Sequence, residues 1–256
     1  MAGFDPDTPS IARVYDYVLG GKDNFAADRE LARKLLTLVP VIGELAVENR
    51  RFLARAVGWA ARQGVGQFID LGSGLPTAPN THESAQAVVG NARVVYVDND
   101  PVVVSHLNAF LAKGNPGVSV IDCDVREAAA VLRRARASLD LSDPVCLVAG
   151  YLLHFFTADA ARDLMARYVT ALAPGSYLVL SVLHAGSQAA DEGLNAYSSR
   201  AAPVYSHPVP EIASFFSGLD LVPPGLVEAR QWHPGRELPD LPARGSQVIA
   251  GVAGKQ

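Results

Sequence analysis

Between positions 67 and 183, short apolar runs rich in β-branched residues alternate with stretches whose apolar residues recur at helical spacing. The runs are QFIDL, RVVYVD, VSVID, PVCLVAG and SYLVLSVL; the helical stretches between them are 82–89, a segment from Pro101, 127–136 and 159–172. Strands this apolar need cover on both faces, and parallel neighbours need a long crossover, which the intervening helices supply. The alternation predicts an α/β fold built on a doubly wound, mostly parallel sheet.

The rhythm breaks on either side. Residues 210–217 read as a short helix, and GLVEARQW and SQVIAGVA then follow as two strand-like runs separated only by the Pro-rich segment 233–244. Consecutive strands without a crossover helix predict an antiparallel pair on the sheet edge. The first 65 residues are helical: 10–19, with Ser10 as N-cap and Gly20-Gly21 as the stop; a second helix marked by Leu31, Leu35 and Leu38 and ended by Pro40; and a third through Leu45, Phe52, Leu53, Ala56, Val57 and Ala60 to about Arg62. This organisation predicts a helical cover over 1–65 and a Rossmann-like core over 66–256, with 185–209 inserted as a lid over one rim. A chain of 256 residues, 49% of them hydrophobic, can bury all of this as one compact domain.

Charge and cysteine content exclude several classes. Twenty-two basic against 26 acidic residues give −4, so a nucleic-acid partner is not expected, and Arg50-Arg51-Arg55 and Arg133-Arg134-Arg136 read first as solvated helix faces. No apolar run approaches a membrane span and the amino end lacks a basic-then-apolar leader, so neither a membrane partner nor export is expected. Cys123 and Cys146 form no CxxC pair and no cluster with histidine, so both are expected to be core thiols, with no metal site, in a reducing cytoplasm.

The chemistry concentrates where strands end. Asp70 closes the first strand and is followed by Gly72-Ser73-Gly74, a G-x-G that lets the backbone turn sharply and approach a ligand closely. A dinucleotide cradle needs G-x-G-x-x-G, but Thr77 stands at the last position, preceded by Pro76, which disfavours a pyrophosphate and makes a nicotinamide-dependent reductase the least favoured reading. Asp98 closes the second strand, 24 residues after Gly74, where a carboxylate can accept both hydroxyl hydrogens of a ribose. The pair suggests adenosine without a diphosphate. Asp124 follows the third strand and can accept from an adenine amino group. Each acid could instead cap the helix after its strand, which is the reading adopted for Asp100 before Pro101. Repetition on three successive strands favours a ligand for Asp70, Asp98 and Asp124.

These residues carry a resemblance. DLGSG, then YVDND, then an acid after the third strand resemble the class I S-adenosylmethionine-dependent methyltransferases, whose seven-stranded sheet ends in an antiparallel pair. More narrowly, PSIARVYDYVLGGKDNFAADRE, ENRRFLARAV, QFIDLGSGLPTAPNTHE and VVYVDNDPVVVSH resemble an actinobacterial S-adenosyl methyltransferase family, over about residues 9–252. Pro76 departs from the third glycine of many class I members but agrees with the narrower family. The resemblance implies S-adenosyl-L-methionine as cofactor and S-adenosyl-L-homocysteine as product. It places Gly72, Ser73 and Gly74 at the methionine part, Asp98 at the ribose and Asp124 at the adenine, with Asp70, Asn99 and Gly150 also beside the cofactor. The amino-terminal helices would fold over it, bringing Tyr15, Tyr17, Asn24 and Arg50 close. Arg50 could pair with the cofactor carboxylate, and Tyr15 or Tyr17 could face the sulfonium by cation–π attraction, although both rings could equally serve packing.

An acceptor is expected near the ends of the fourth and fifth strands. His154 and His184 approach that rim and are the candidate general bases, although a lone histidine is more often structural. Tyr151, with Tyr197, Tyr205 and His207 of the insertion, is expected to line the substrate pocket. The favoured function is methyl transfer to a small molecule, specialised metabolites being one class. The alternative is a non-catalytic sensor or binding module on the same fold, because Gly150-Tyr151-Leu152-Leu153 stands where base methyltransferases carry N-P-P-Y.

Overall fold

The computed structural model describes residues 5–185, 202–234 and 246–256. Three helices, α1 (Ile11–Val18), α2 (Ala26–Leu38) and α3 (Ile42–Arg62), precede the alternating region. That region runs β1 (Gln67–Leu71), α4 (Thr81–Gln86), β2 (Arg93–Asp98), α5 (Pro101–His106), β3 (Val118–Asp122), α6 (Ala128–Ala135), β4 (Cys146–Gly150), α7 (Ala158–Thr170) and β5 (Tyr177–Ala185). The carboxyl end adds α8 (Val209–Ser214), β6 (Asp220–Leu221), β7 (Val227–Glu228) and β8 (Ser246–Gly254).

Strands β1 to β5 are parallel in the order β3-β2-β1-β4-β5, and β8 pairs antiparallel with β5 along nine residues. The far edge of β8 is shared by β6, at Ala253–Gly254, and β7, at Ile249–Ala250. Among the described residues, eight strands thus occupy seven positions. Successive strand residues face opposite covers, as the two-residue period requires. Phe68, Val94, Tyr96, Val148 and Val179 pack under α1, α2, α3 and α5, whereas Ile69, Val95, Val97, Leu147 and Leu180 pack on α6, α7 and α8. Strand order reverses between β1 and β4, opening a crevice at their carboxyl ends, the place where open α/β sheets bind ligands.

Several local expectations change. GLVEARQW is a strand only at Val227–Glu228; Ala229–Gln231 winds into a 3₁₀ turn. The cause is Trp232, which is fully buried with its ring edge-on to Phe52 and Trp59 of α3. Arg55 of α3 then donates to the carbonyls of Ala229 and Trp232 (2.6 and 3.1 Å). The chain must leave the sheet to seat that indole. The antiparallel pair of β7 and β8 does stand at the sheet edge, with β8 next to β5 and β7 outside it. Beyond α5 the helix widens over Leu107–Ala112, leaving Phe110 exposed. Ser10 does not cap α1: its hydroxyl donates to Asp100, a charged and therefore stronger acceptor. Asp100 itself caps α5 by accepting from Val102 N–H at 2.8 Å, as its place before Pro101 predicts. Only Ala185 and residues 202–209 of the expected insertion are described.

Among the described residues, no helix is long and apolar enough to cross a membrane, and no group of three His, Cys, Asp or Glu side chains could hold a metal ion.

Candidate functional site

The loops after β1, β2, β3 and β4 enclose a cavity of about 480 Å³ at the strand-order reversal, roofed by α1 and α3. Its floor is the turn after β1. Gly72 and Gly74 both adopt positive φ (62° and 66°), which an L side chain resists. At Gly72 a Cβ would also lie 2.7 Å from Leu152 Cδ1, whereas at Gly74 the same space is open. The first glycine lets the β1 and β4 loops touch, and the second leaves the backbone bare beside the cavity.

Asp98 anchors this turn. Its Oδ2 accepts from Gly74 N–H (2.9 Å) and its Oδ1 from Asp100 N–H (3.0 Å). Each oxygen keeps acceptor capacity, and two hydroxyl donors of a diol would use it. Burial pushes the Asp98 carboxyl above its usual range, opposed by the amides of Asp100 and Gly74. Asp70 is held by Thr81 Oγ1 at 2.6 Å, and burial raises it to about 6, against the pull of Thr81 and Arg50. Asp124 behaves differently: Arg126 grips its carboxylate through Nε and Nη2, Asn99 Nδ2 lies 3.4 Å away, and the Arg126 contacts hold it below its usual range. Its charge is largely spent within the protein. Asp70, Asp98 and Asp100 therefore face the cavity with Arg50 as the nearest opposing charge, a field that favours a cationic ligand.

Arg50 does two things. Its Nη2 donates to the carbonyls of Thr77 and Pro79 and so holds the GSGLPTAPN loop against α3, while its buried Nε has no partner among the described residues. Ser73 Oγ is likewise buried without a partner. Orphaned polar atoms of this kind lining a cavity are consistent with a polar ligand that completes them. The glycine turn, the available Asp98 oxygens and the acidic rim together fit an adenosine-bearing cation.

Of the residues expected from sequence, Tyr15, Arg50, Asp70, Gly72, Ser73, Gly74, Asp98, Asn99, Asp124, Gly150, Tyr151 and His154 line the cavity. Tyr17 does not: it turns away and packs under the Arg33 guanidinium, 5.7 Å from the ring centre. Asn24 shapes the turn after α1 instead, donating to Asp16 Oδ2 (2.8 Å) and the Gly21 carbonyl (3.1 Å). His184 also stays outside; its Nδ1 pairs with the His207 carbonyl at 2.9 Å. His207 is buried against Phe215, and Tyr205 is exposed at the surface, its N–H bonded to the His154 carbonyl. Tyr197 lies outside the described residues. Cys146 is a core thiol that burial pushes up, and Cys123 packs against the core while also lining the cavity. His154 is buried, and burial pushes it down to about 3, so its imidazole is neutral and weakly basic.

Among the lining residues that sequence reasoning missed are Asn49, Phe155, Leu183 and Val204. Asn49 left a signal: it interrupts the apolar stripe Leu45, Phe52, Leu53, Ala56 of α3, and a polar residue on a core face needs partners. It finds them, accepting from Ser181 Oγ (2.6 Å) and donating to Tyr15 Oη (3.0 Å). The others come from distant segments and carry no local pattern.

A family model described as S-adenosyl methyltransferase matches residues 2–256. A candidate methyltransferase from Thermobifida fusca YX is 39% identical, with a TM-score of 0.91 over 98% of this chain and 96% of that one. A DUF574 family protein from Streptomyces avermitilis MA-4680 is 33% identical, with a TM-score of 0.89 over 98% and 99%. Magnesium protoporphyrin IX methyltransferase from Synechocystis PCC 6803, solved with its cofactor bound, is 16% identical over 100% of both chains; its TM-score of 0.53 reflects a common fold. No curated protein matches the chain.

Proposed function

The chain belongs to the S-adenosyl methyltransferase family, and we propose on that premise that it transfers the methyl group of S-adenosyl-L-methionine to a small-molecule acceptor, releasing S-adenosyl-L-homocysteine. The observation that carries this reading is Asp98, a buried carboxylate fixed by the Gly74 and Asp100 amides beside a turn of two positive-φ glycines.

When bound, the cofactor supplies a methyl group on a positively charged sulfur, an electrophile whose leaving group is a neutral thioether. The chain's own task is then orientation and exclusion of water. Asp98 with Asn99 would hold the ribose, Asp124 the adenine end, and the Gly72–Gly74 backbone with Asp70 and Arg50 the methionine part. Helices α1 to α3 would act as the cover, with Tyr15 closing over the site. His154 is suited to orient an acceptor group as a neutral imidazole rather than to carry its proton away. The free Cys123 and Cys146 support work in a reducing cytoplasm.

Calorimetric titration of the cofactor and its demethylated product tests the binding half of the proposal. Transfer of labelled methyl from the cofactor into a small-metabolite extract tests the reaction. Binding without any transfer above a boiled control would leave a sensor or binding module, and no binding by folded protein would overturn the cofactor itself.

A further inference from the structure

Beyond the acidic rim the cavity changes character. Four rings form an unbroken chain along its wall: Tyr15 to Tyr151 (centroids 5.5 Å apart), Tyr151 to His154 (4.8 Å) and His154 to Phe155 (4.2 Å). All four line the cavity, with Leu53, Leu183 and Val204 around them. The formally charged residues among the described lining are Arg50 of α3, Asp70 and Asp98 at the ends of β1 and β2, and Asp100 and Asp124 just beyond β2 and β3; the rings of the wall carry no formal charge, and Arg50 acts on its Tyr15 end.

The wall is held rigid. Tyr151 adopts φ 58°, a conformation costly for a bulky side chain, and its N–H is pinned by the Ser181 carbonyl (2.9 Å) and Ser181 Oγ (3.1 Å). Ser181 Oγ donates onward to Asn49 Oδ1, Asn49 Nδ2 donates to Tyr15 Oη, and Tyr15 Oη donates to the Ala46 carbonyl (2.6, 3.0 and 3.2 Å). One directed chain of hydrogen bonds thus fixes the two tyrosines that begin the ring wall. Among the described residues His154 Nδ1 has no hydrogen-bond partner, and burial keeps the ring uncharged, so the wall offers a polar point without a charge.

We propose that this half of the cavity selects an uncharged, planar, ring-bearing acceptor that lies against the Tyr15–Tyr151–His154–Phe155 wall, an inference that rests on the methyl-transfer reading of the same site. A charged acceptor would lose hydration against rings that carry no counter-charge of their own. A flat aromatic guest would gain ring contacts that a saturated one of equal size cannot make. Preorganisation by Asn49 and Ser181 means little ordering is required when it binds.

The test uses the whole chain and four matched probes: 2-naphthol, 2-naphthoate, 2-naphthylmethylammonium and decahydro-2-naphthol. Each is titrated by saturation-transfer NMR with and without saturating S-adenosylhomocysteine. The expected order puts 2-naphthol about tenfold or more tighter than either charged ring and about fivefold tighter than the saturated alcohol. Tyr151→Leu should abolish the preference for the aromatic over the saturated alcohol; Phe155→Leu serves if that variant fails to fold. Charged probes binding as well as 2-naphthol, or no preference for the aromatic ring in the wild type, would overturn the proposal. Failure of S-adenosylhomocysteine to bind would strike the cofactor reading alone; on the ligand-free protein the wall is then decided by 2-naphthol against decahydro-2-naphthol, because the open acidic rim attracts the ammonium probe.

Discussion

Replacing Asp98 with alanine separates a ribose-binding carboxylate from one that merely shapes a loop. Two hydroxyl donors binding a buried carboxylate contribute together about 2–3 kcal/mol net, so Asp98→Ala should weaken S-adenosylhomocysteine by about 30- to 150-fold. The stability of the ligand-free protein should move much less. The Gly74 and Asp100 amides lose their acceptor, which costs about 1–2 kcal/mol, but the variant no longer buries a carboxylate whose pKa burial has raised, and the two effects oppose one another. Calorimetric titration beside thermal unfolding reads both quantities. Loop loosening could imitate the affinity loss, so the 2′-deoxy and 3′-deoxy forms of the ligand are titrated against both proteins. If Asp98 holds the diol, each deoxy ligand binds the wild type more weakly than the parent, yet the variant binds all three about equally. Deoxy penalties of the same size in both proteins, or an unchanged affinity in a folded variant, would refute the assignment.

Asp70 titrates at about 6 in the folded chain against 3.8 for a free side chain, so the folded state holds its proton more tightly. That stability is present at low pH and is lost as pH rises from about 4 to about 6; Asp70→Asn should therefore raise neutral-pH stability by up to about 3 kcal/mol and flatten this part of the profile, as measured by urea unfolding. Affinity for the cationic cofactor should rise with pH through the same window in the wild type and lose that rise in Asp70→Asn. Gly72→Ala must accept a positive φ and a Cβ 2.7 Å from Leu152, whereas Gly74→Ala meets only the φ. The first should unfold at a lower temperature by an amount worth about 2 kcal/mol more than the second, while the second should weaken cofactor binding out of proportion to its small stability loss. Asn49→Ala strands Ser181 Oγ and frees Tyr15, and should cost about 2–3 kcal/mol in denaturant unfolding; a loss below about 0.5 would mean the network is not a structural tie.

Much of the molecule is written in short-range pattern. The apolar runs QFIDL, RVVYVD, VSVID, PVCLVAG and SYLVLSVL are strands because continuous apolar faces require cover on both sides, and the helices between them supply it. Asp70, Asp98 and Asp124 reach one rim because parallel strands all point the same way, so a residue at each carboxyl end lands on the same edge. The glycine spacing likewise announces a turn before any coordinate is known, since two residues in two positive-φ positions can be met without strain only by glycine.

What the chain could not announce is which partners long-range packing brings together. Tyr15 and Tyr17 lie two positions apart on α1, which turns them to different sides of the helix; only the docking of α1 on α3 decides that Tyr15 faces the cavity and Tyr17 faces Arg33. Trp232 pulled a strand-like run out of the sheet because its burial against α3 outweighs a few more ladder hydrogen bonds. The ring wall itself joins residues 15, 151, 154 and 155, and the network that stiffens it adds 49 and 181. Local periodicity determines elements and the edge they share. The neighbours of a side chain across sequence separations of 34 and 132 are set by how those elements pack, and that step belongs to the tertiary structure alone.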